Sequence, residues 1–259
     1  MIGYSLTKAN RIMLARAFKN NKRVDLSMDC AIEGQMGKAF TDDAENPTVF
    51  EIELGHFFCY FAGDAASTAG YEMIKSLPPH RMLLPSSPGW MDIAQEMHGD
   101  KLLRHTRYSF SSGNLSIDYL ERLLADSPFR DRIRRIDAAL ARQLSNSPDS
   151  VFEISDFEPA EDFVERGIGY WLMEDDAVMG VAYSSLVCSK GIEVSIFVMP
   201  EHRRKGVATC LASALIQWCL ENNADPHWDA ANSESCRLAE KLGYVPTETY
   251  DAYFLRGAD

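Results

Sequence analysis

The 259 residues suffice for one large domain or two ordinary ones, and 46% hydrophobic with 25% charged residues is the balance of a globular chain with an ample core. The formal net charge of −12 at pH 7 disfavours a nucleic-acid partner, because such a partner needs a basic protein surface. The same charge suits a cationic small substrate.

The spacing of the cysteines and histidines indicates neither disulfides nor a metal. The six cysteines show no CxxC spacing and the six histidines show no metal-ligand spacing, so we expect reduced core thiols and no metal site. The N-terminal segment lacks a signal-peptide core, and no apolar run is long enough to span a bilayer. These features together predict a cytoplasmic protein.

Hydrophobic periodicity predicts helices alternating with strands, which indicates an α/β (α+β) fold with a mixed central sheet. The predicted helices span residues 5–20, 67–77, 88–98, 116–125, 133–144 and 160–166, one that begins at 207, and 233–242. The predicted strands span 38–41, 48–54, 57–62, 81–84, 101–110, 169–174, 178–187, 192–198, 227–230 and 244–255, the last as a strand or a hairpin.

A polar, turn-rich segment over residues 145–150 predicts a domain boundary. The expected domains are 1–145, a smaller α/β domain on the substrate side or with a role in dimerisation, and 150–259. Both halves alternate strands and helices, so a degenerate second copy of one fold in the N-terminal half is an open alternative.

The segment around residues 191–221 combines three features of an anion site. A strand ends at Pro200, a basic loop with Gly206 follows, and a helix begins at Val207. The first turn of a helix presents unpaired backbone N–H groups and partial positive charge, which suit a phosphate or pyrophosphate. Gly206 can adopt backbone angles that a side chain forbids and lets a ligand come close.

The pattern Arg203-x-x-Gly206-x-Ala208 resembles the pyrophosphate loop of the GNAT acetyltransferases, Gln/Arg-x-x-Gly-x-Gly/Ala. Residues 232–244, NSESCRLAEKLGY, resemble the second signature of that family, and the order of the two motifs matches as well. The resemblance implies a GNAT fold in 150–259 and acetyl-CoA as the cosubstrate.

The resemblance also implies which residues bind the cofactor. The backbone of Phe197 and Val198 is expected to bond the pantetheine arm, and Asn232 and Ser235 to contact its far end. Asn232 is an equally good helix N-cap, and the two roles are compatible. The residues implied at the pyrophosphate are Arg203, Arg204, Lys205, Gly206, Val207, Ala208 and Thr209.

The N-terminal half resembles one GNAT subgroup more than others. Residues 37–43 and 57–64, together with the Pro-x-Trp-Asp-x-x-Asn pattern at 226–232, are similar to the subgroup that includes the acetyltransferase giving resistance to zwittermicin A, an aminopolyol antibiotic. This likeness says less about the substrate than about the family.

Acetyl transfer to an amine requires removal of a proton, since an alkyl ammonium has a pKa of about 10.4. Glu193 is the candidate base, because it lies on the central strand on the face opposite the Ile and Val side chains, where burial would raise its pKa. A non-catalytic carboxylate is the alternative for Glu193. Asp229 is a weaker candidate base, and a water chain could replace both.

This chain departs from the wider family at the position of the acid that protonates the leaving thiolate. Many GNAT enzymes have Tyr after the Leu of the second signature, whereas this chain has Ala239 after Leu238. Tyr244, Tyr250 and Tyr253 follow, without a pattern that places their hydroxyls near the sulfur.

The sequence therefore favours an N-acetyltransferase that acts on a primary amine of a small molecule, such as an aminated antibiotic or a polyamine-like metabolite. Residues 149–202 carry twelve acidic residues against Arg166 and Lys190, which predicts an acidic mouth that concentrates such an amine. The absence of the Tyr motivates the alternative of an inactive acyl-CoA-binding or sensing protein. A third alternative is an N-terminal half that binds a partner protein, and a homodimer is also expected.

Overall fold

A computed structural model describes residues 1–55, 57–84, 89–145, 152, 154, 156–157, 160–174 and 177–257. The chain divides into two compact units. The first is Met1–Arg107 together with Thr249–Asp259, and the second is Tyr108–Glu248.

Helices and strands alternate along the described chain, as the periodicity predicts. The helices are α1 (Lys8–Ala17), α2 (Ser27–Glu33), α3 (Thr68–Lys75), α4 (Trp90–His98), α5 (Ile117–Ala125), α6 (Ala138–Ser145), α7 (Ala160–Arg166), α8 (Val207–Glu221) and α9 (Ser233–Leu242). The strands are β1 (Ile2–Gly3), β2 (Lys38–Thr41), β3 (Val49–Leu54), β4 (Phe58–Gly63), β5 (Arg81–Leu83), β6 (Leu102–Ser111), β7 (Arg134–Arg135), β8 (Gly169–Glu174), β9 (Ala177–Cys188), β10 (Gly191–Val198), β11 (Asp225–His227), β12 (Asp229–Ala230) and β13 (Val245–Leu255).

The first unit is built on a sheet that begins with four antiparallel strands. β1, β2, β3 and β4 pair in that order, and β5 pairs parallel to β4 after the crossover through α3. Every residue of β3 is buried. The ring of Trp90 on α4 stacks on Phe61 of β4 with centroids 5.4 Å apart, so α4 closes the core on one face of the sheet.

The second unit contains a five-stranded sheet in the order β11, β10, β9, β8, β7. β7 to β10 form an antiparallel meander, and β11 pairs parallel to β10 after the crossover through α8. Val207, Leu211 and Leu215 of α8 pack against Ile192 of β10. Each of these fully buried leucines contributes about 2 kcal/mol to stability, so the start of α8 is held firmly against the sheet.

The division between the units differs from the predicted domains. The predicted boundary segment lies, beyond Ser145, outside the described residues. In the described chain α5 packs along α8, α6 packs against α7, and β7 pairs with β8. Residues 108–145 therefore pack with the C-terminal unit, and the C-terminal end of the chain belongs to the first unit because β13 pairs with β5.

Two local predictions fail for physical reasons. Residues 133–144, predicted as one helix, form β7 and then α6, because the N–H of Ile136 donates to Gly169 and the Asp137 carboxylate accepts from the N–H of Leu140 to begin α6 afresh. Helix α2 was not predicted at all. Its N-cap is Leu26, which offers no side-chain capping bond and hence no sequence signal.

The thiols of the described chain are free, five of them in the core. Cys30, Cys59, Cys188, Cys210 and Cys219 are buried, and Cys236 is half-buried. Burial raises the pKa of Cys219 to about 12, so this thiol stays protonated at neutral pH. Among the described residues no cluster of three His, Cys, Asp or Glu side chains could hold a metal ion. No helix in the described part of the chain is long and apolar enough to cross a membrane.

Two carboxylates of β3 lie inside the first unit. Glu51 and Glu53 share one face of the strand and are 8% and 9% exposed. Arg81 pairs with Glu53 at 2.7 Å. Burial raises the pKa of Glu51 to about 7, although a hydrogen bond from the Cys59 thiol opposes the shift. Between the ordinary value and pH 7 the folded chain therefore holds a proton that the unfolded chain releases, so this group destabilises the fold as pH rises.

Glu51→Gln should remove that pH dependence. Between pH 5 and pH 8 the free energy of unfolding of the wild type should fall by about 2 kcal/mol relative to that of the variant, because the neutral amide carries no charge into the core. Urea unfolding at both pH values measures the difference, with the exposed Glu45→Gln as the matched control. Parallel stability curves for the wild type and Glu51→Gln would contradict the assignment.

Candidate functional site

The loop between β10 and α8 turns through residues with left-handed backbone angles. Arg204 has φ of 61° and Gly206 has φ of 93°, two left-handed residues within three positions. No heavy atom lies within 4 Å of the place that a Cβ on Gly206 would occupy. The loop therefore leaves open space directly before the first turn of α8, where Val207, Ala208 and Thr209 present backbone N–H groups.

Cations surround this first turn from two sides. Arg203, Arg204 and Lys205 are exposed on the loop. From α9, the ammonium group of Lys241 donates to the hydroxyl of Thr209 at 3.2 Å. The positive end of the α8 dipole thus has flexible positive side chains beside it, which is the arrangement that binds phosphate groups.

The end of β10 is tied to the loop by Arg203. Its Nε donates to the carbonyl oxygen of Val198 at 3.1 Å, and its guanidinium carbon lies 5.9 Å from the centroid of the Phe197 ring. A carbonyl oxygen has two lone pairs, so Val198 keeps the capacity to accept a second hydrogen bond.

The pairing of β10 with β11 ends halfway along β10. Their parallel pairing covers Gly191–Glu193 opposite Asp225–His227. Beyond His227 the chain turns away, and Asp229 and Ala230 form β12, which pairs with β6 instead. The single strand predicted over 227–230 is therefore two short strands with different partners, because the pairing to β6 takes over after Trp228.

Residues 194–198 of β10 consequently have a strand partner on one side only, among the residues that the structure describes. β9 pairs with them along one edge. A register shift between Glu193 and Val194 leaves Ser185 of β9 as an extra residue, and such bulges bend a strand. The opposite edge of β10 offers backbone N–H and C=O groups to a ligand, and its side chains are half-buried.

Glu193 lies where the two strands separate, and its partner is a histidine. Glu193 Oε2 is 2.9 Å from Nδ1 of His227, and the side chains are 12% and 21% exposed. Alternation along β10 places Glu193, Ser195 and Phe197 on the face opposite Ile192, which packs on α8. The pair is thus a largely buried acid–base couple on the face that α8 does not cover.

Asn232 and Ser235 carry out structural roles at the start of α9. The Asn232 side chain accepts from the N–H of Ser235 at 2.9 Å, so its predicted role as N-cap is confirmed. The Ser235 hydroxyl accepts from the indole N–H of Trp228 at 3.1 Å. Their predicted contact with the pantetheine arm stays a prediction.

The structure also shows the surroundings of the other residues considered as the acid or the base. The Tyr244 hydroxyl donates to the carbonyl oxygen of Pro226 at 2.7 Å, and burial raises the pKa of this phenol well above its usual value. Ala239 is fully buried in the core between α9 and its neighbours. The backbone of Asp229 lies on β12 and pairs with Ser109 of β6.

The predicted acidic mouth is only partly described. Glu161, Asp162 and Glu174 form ion pairs with Arg142, Arg166 and Arg132 respectively. These contacts pair three of the described acidic residues with arginines. Asp149, Glu153, Glu158, Asp175 and Asp176 lie outside the described residues.

Two residues of the site were missed by sequence reasoning. His227 was considered only as a metal ligand, and Lys241 was part of the quoted signature without a role of its own. The available signal for Lys241 was its place in the second GNAT signature; for His227 it was the parallel alignment of two strands, which a sequence pattern does not fix.

The comparisons with known proteins cover nearly the whole chain. The sequence profile described as GNAT acetyltransferase matches residues 16–253. The chain is 27% identical over 228 residues to the uncharacterized N-acetyltransferase YdfB of Bacillus subtilis (strain 168), with 84% of this chain and 85% of that protein covered.

Solved structures show the same likeness. A GCN5-related N-acetyltransferase-like protein from Streptococcus suis 89/1591 has a TM-score of 0.83 and 27% identity, over 95% of this chain and 98% of that one. A tandem GNAT protein from the clavulanic acid biosynthesis pathway has a TM-score of 0.52 at 12% identity, over 97% and 96% of the two chains, and is similar in fold alone.

Lys241→Gln should weaken binding of coenzyme A. The substitution removes one positive charge beside the α8 start, and a partly exposed charge contact of about 1 kcal/mol corresponds to about fivefold in Kd. Calorimetry measures the change. Arg237→Gln, one turn earlier on α9 and paired with Glu234, is the control that should leave Kd unchanged. Equal affinity of Lys241→Gln and the wild type would remove Lys241 from the site.

Proposed function

The chain belongs to the GNAT acetyltransferase family and is thus an acyltransferase, and on that premise we propose that it transfers the acetyl group of acetyl-CoA to a primary amine of a small molecule. The amine attacks the thioester directly. The observation that supports the proposal is that β10 and β11 separate between the start of α8 and the largely buried carboxylate of Glu193.

The phosphate end of acetyl-CoA is assigned to the loop Arg203–Thr209. Two left-handed residues turn the backbone there, and the start of α8 supplies N–H donors with cations on two sides. Binding at this point uses backbone groups and charge together, so it does not depend on any one side chain.

The pantetheine arm is assigned to the open edge of β10. From Glu193 to Val198 the strand rises roughly 16 Å, at about 3.3 Å per residue. An arm anchored by its pyrophosphate beside Gly206 would run back along Val198 and Phe197 and bond to the backbone groups of this stretch that face away from β9, like an added strand. Its thioester would then lie near the point where β10 and β11 meet.

The reacting centre is assigned to that meeting point. Glu193 takes part in removing the ammonium proton, because this proton must leave before the nitrogen can attack. Thiolate leaves without a dedicated acid, since an ordinary thiol has a pKa of about 8.5. The buried Ala239 and the engaged hydroxyl of Tyr244 are consistent with this unaided departure.

The acceptor class rests on resemblance and charge. The likeness of residues 37–43, 57–64 and 226–232 to the zwittermicin A resistance subgroup supports an aminated antibiotic or a polyamine-like metabolite. The net charge of −12 supports a cationic acceptor. We further propose that residues 1–145 hold a degenerate GNAT-like copy with a role in substrate binding or dimerisation, and the fold of the tandem GNAT protein supports the GNAT-like copy.

A second candidate function follows from Ala239. Many GNAT enzymes have Tyr there, and a chain that has lost the acid could bind acyl-CoA as a sensor without transferring the acyl group. Release of free thiol from acetyl-CoA on addition of amines separates the two. Tight acetyl-CoA binding with no thiol release from any amine of a broad panel would favour the sensor.

Gly206→Asp should abolish acetyl-CoA binding, and Gly206→Asn is the matched control. Asn and Asp have the same shape and both tolerate left-handed backbone, so only the negative charge beside the pyrophosphate differs. We expect the Asp variant to lose at least about 100-fold in affinity and the Asn variant much less. Calorimetry on both folded variants decides.

Equal affinities of Gly206→Asp and Gly206→Asn would show that no phosphate group binds at this loop. Equal affinities of both variants and the wild type would remove the loop assignment altogether, and with it the support for acetyl transfer at this site.

A further inference from the structure

His227 is the structural partner of Glu193 and has no assigned role. The two residues are direct partners in the last register position of the β10–β11 pairing, and Glu193 Oε2 is 2.9 Å from His227 Nδ1. This distance is that of a good hydrogen bond. Both side chains lie where the strands separate and where the proposed thioester would sit.

We propose that His227 accepts the ammonium proton of the acceptor amine, and that Glu193 positions the imidazole ring for it. The inference rests on the proposed acetyl transfer and names the proton acceptor of the same site. Glu193 is then a positioning residue that acts through the ring.

The hydrogen bond determines which ring nitrogen can act. A carboxylate accepts hydrogen bonds but does not donate them, so at 2.9 Å it holds the imidazole proton on Nδ1. The lone pair is then on Nε2, and this nitrogen becomes the proton acceptor. The same bond keeps the ring in one orientation and stabilises the imidazolium that forms after proton transfer.

Reference acidities favour an imidazole over a carboxylate in this task. An alkyl ammonium at about 10.4 is roughly six pKa units above an ordinary Glu carboxyl but only about four above an ordinary imidazole. The equilibrium constant for proton transfer is therefore about 100-fold more favourable to imidazole than to the carboxylate. Exposure agrees with this order, because His227 at 21% is the outer member of the pair and Glu193 at 12% is the inner one.

Three other ionisable groups lie near His227 in the sequence or contact β11. Asp225, two residues before His227 on β11, accepts a hydrogen bond from the hydroxyl of Ser112. Tyr244 donates its hydroxyl to Pro226. Asp229 follows on β12, which pairs with β6. Glu193 Oε2, at 2.9 Å from Nδ1, is within hydrogen-bond distance of the ring.

The proposed step is balanced as follows. The ammonium loses one proton to Nε2 of His227, and the neutral nitrogen attacks the thioester carbonyl carbon. A C–N bond forms, the C–S bond breaks, and the sulfur leaves with the electron pair. The nitrogen loses a second proton while the thiolate gains one, and the imidazolium releases the first proton to solvent.

The ring tautomer tests the pair without any reaction. In nitrogen-15 NMR spectra of the full chain, assigned with His227→Gln, neutral His227 should carry its proton on Nδ1. Glu193→Ala should move that proton to Nε2. Glu193→Asp serves as the second variant, because it keeps the carboxylate if the Ala variant fails to fold. A proton on Nε2 in the wild type would overturn the proposal.

Chemical rescue tests proton transfer, with acetyl-CoA as the acetyl donor and spermidine as the probe amine. His227→Ala should lower kcat by about 100-fold or more, since positioned proton transfer contributes that much. Added imidazole should restore much of the rate in His227→Ala and change nothing in the wild type. Glu193→Ala should lose about 10-fold, as a residue does that only orients another.

The opposite pattern would overturn the proposal: no imidazole rescue of His227→Ala, with Glu193→Ala the more damaging change, would make the carboxylate itself the base. The failure of acetyl transfer is a separate result. Calorimetry with acetyl-CoA and thiol release by the wild type report on the proposed function, whereas the tautomer reports on the pair even if no amine is acetylated.

Discussion

The site depends on the place where β10 loses one of its two partners. Three register positions join β10 to β11, and the last of them is the pair of Glu193 and His227. Beyond it β11 gives way to β12, which pairs with β6. One edge of β10 is thereby freed in the middle of the second unit, and free backbone groups inside a fold need a partner. An extended ligand arm is such a partner.

The two ends of this open edge provide opposite environments. At the C-terminal end of β10 the loop is exposed and positively charged, with Lys241 brought in from α9. At the other end Glu193 and His227 are largely buried. A molecule with a charged phosphate end and a reactive acyl end fits this gradient, because the charged end stays in the open loop and the acyl group enters a drier region where electrostatic effects are stronger.

Local signals in the sequence predicted the parts of the site that local forces build. The change of period at Val207, the glycine before it and the cap residue Asn232 are properties of short segments, and α8 and α9 begin where they indicate. His227 and Glu193 are 34 residues apart, and Lys241 and Thr209 are 32 apart. Their contacts depend on strand register and helix packing across the unit, which no local pattern fixes. The same is true of the break between β11 and β12.

Hydrogen–deuterium exchange of the backbone amides in the presence of acetyl-CoA tests the central claim most directly. If the arm binds along the open edge, amides within residues 194–198 and the first turn of α8 should exchange more slowly with acetyl-CoA bound. Amides of residues 180–183 of β9, which pair with β8 on one edge and with β10 on the other, should not change. Protection that leaves residues 194–198 untouched, in a chain that binds acetyl-CoA, would contradict the account.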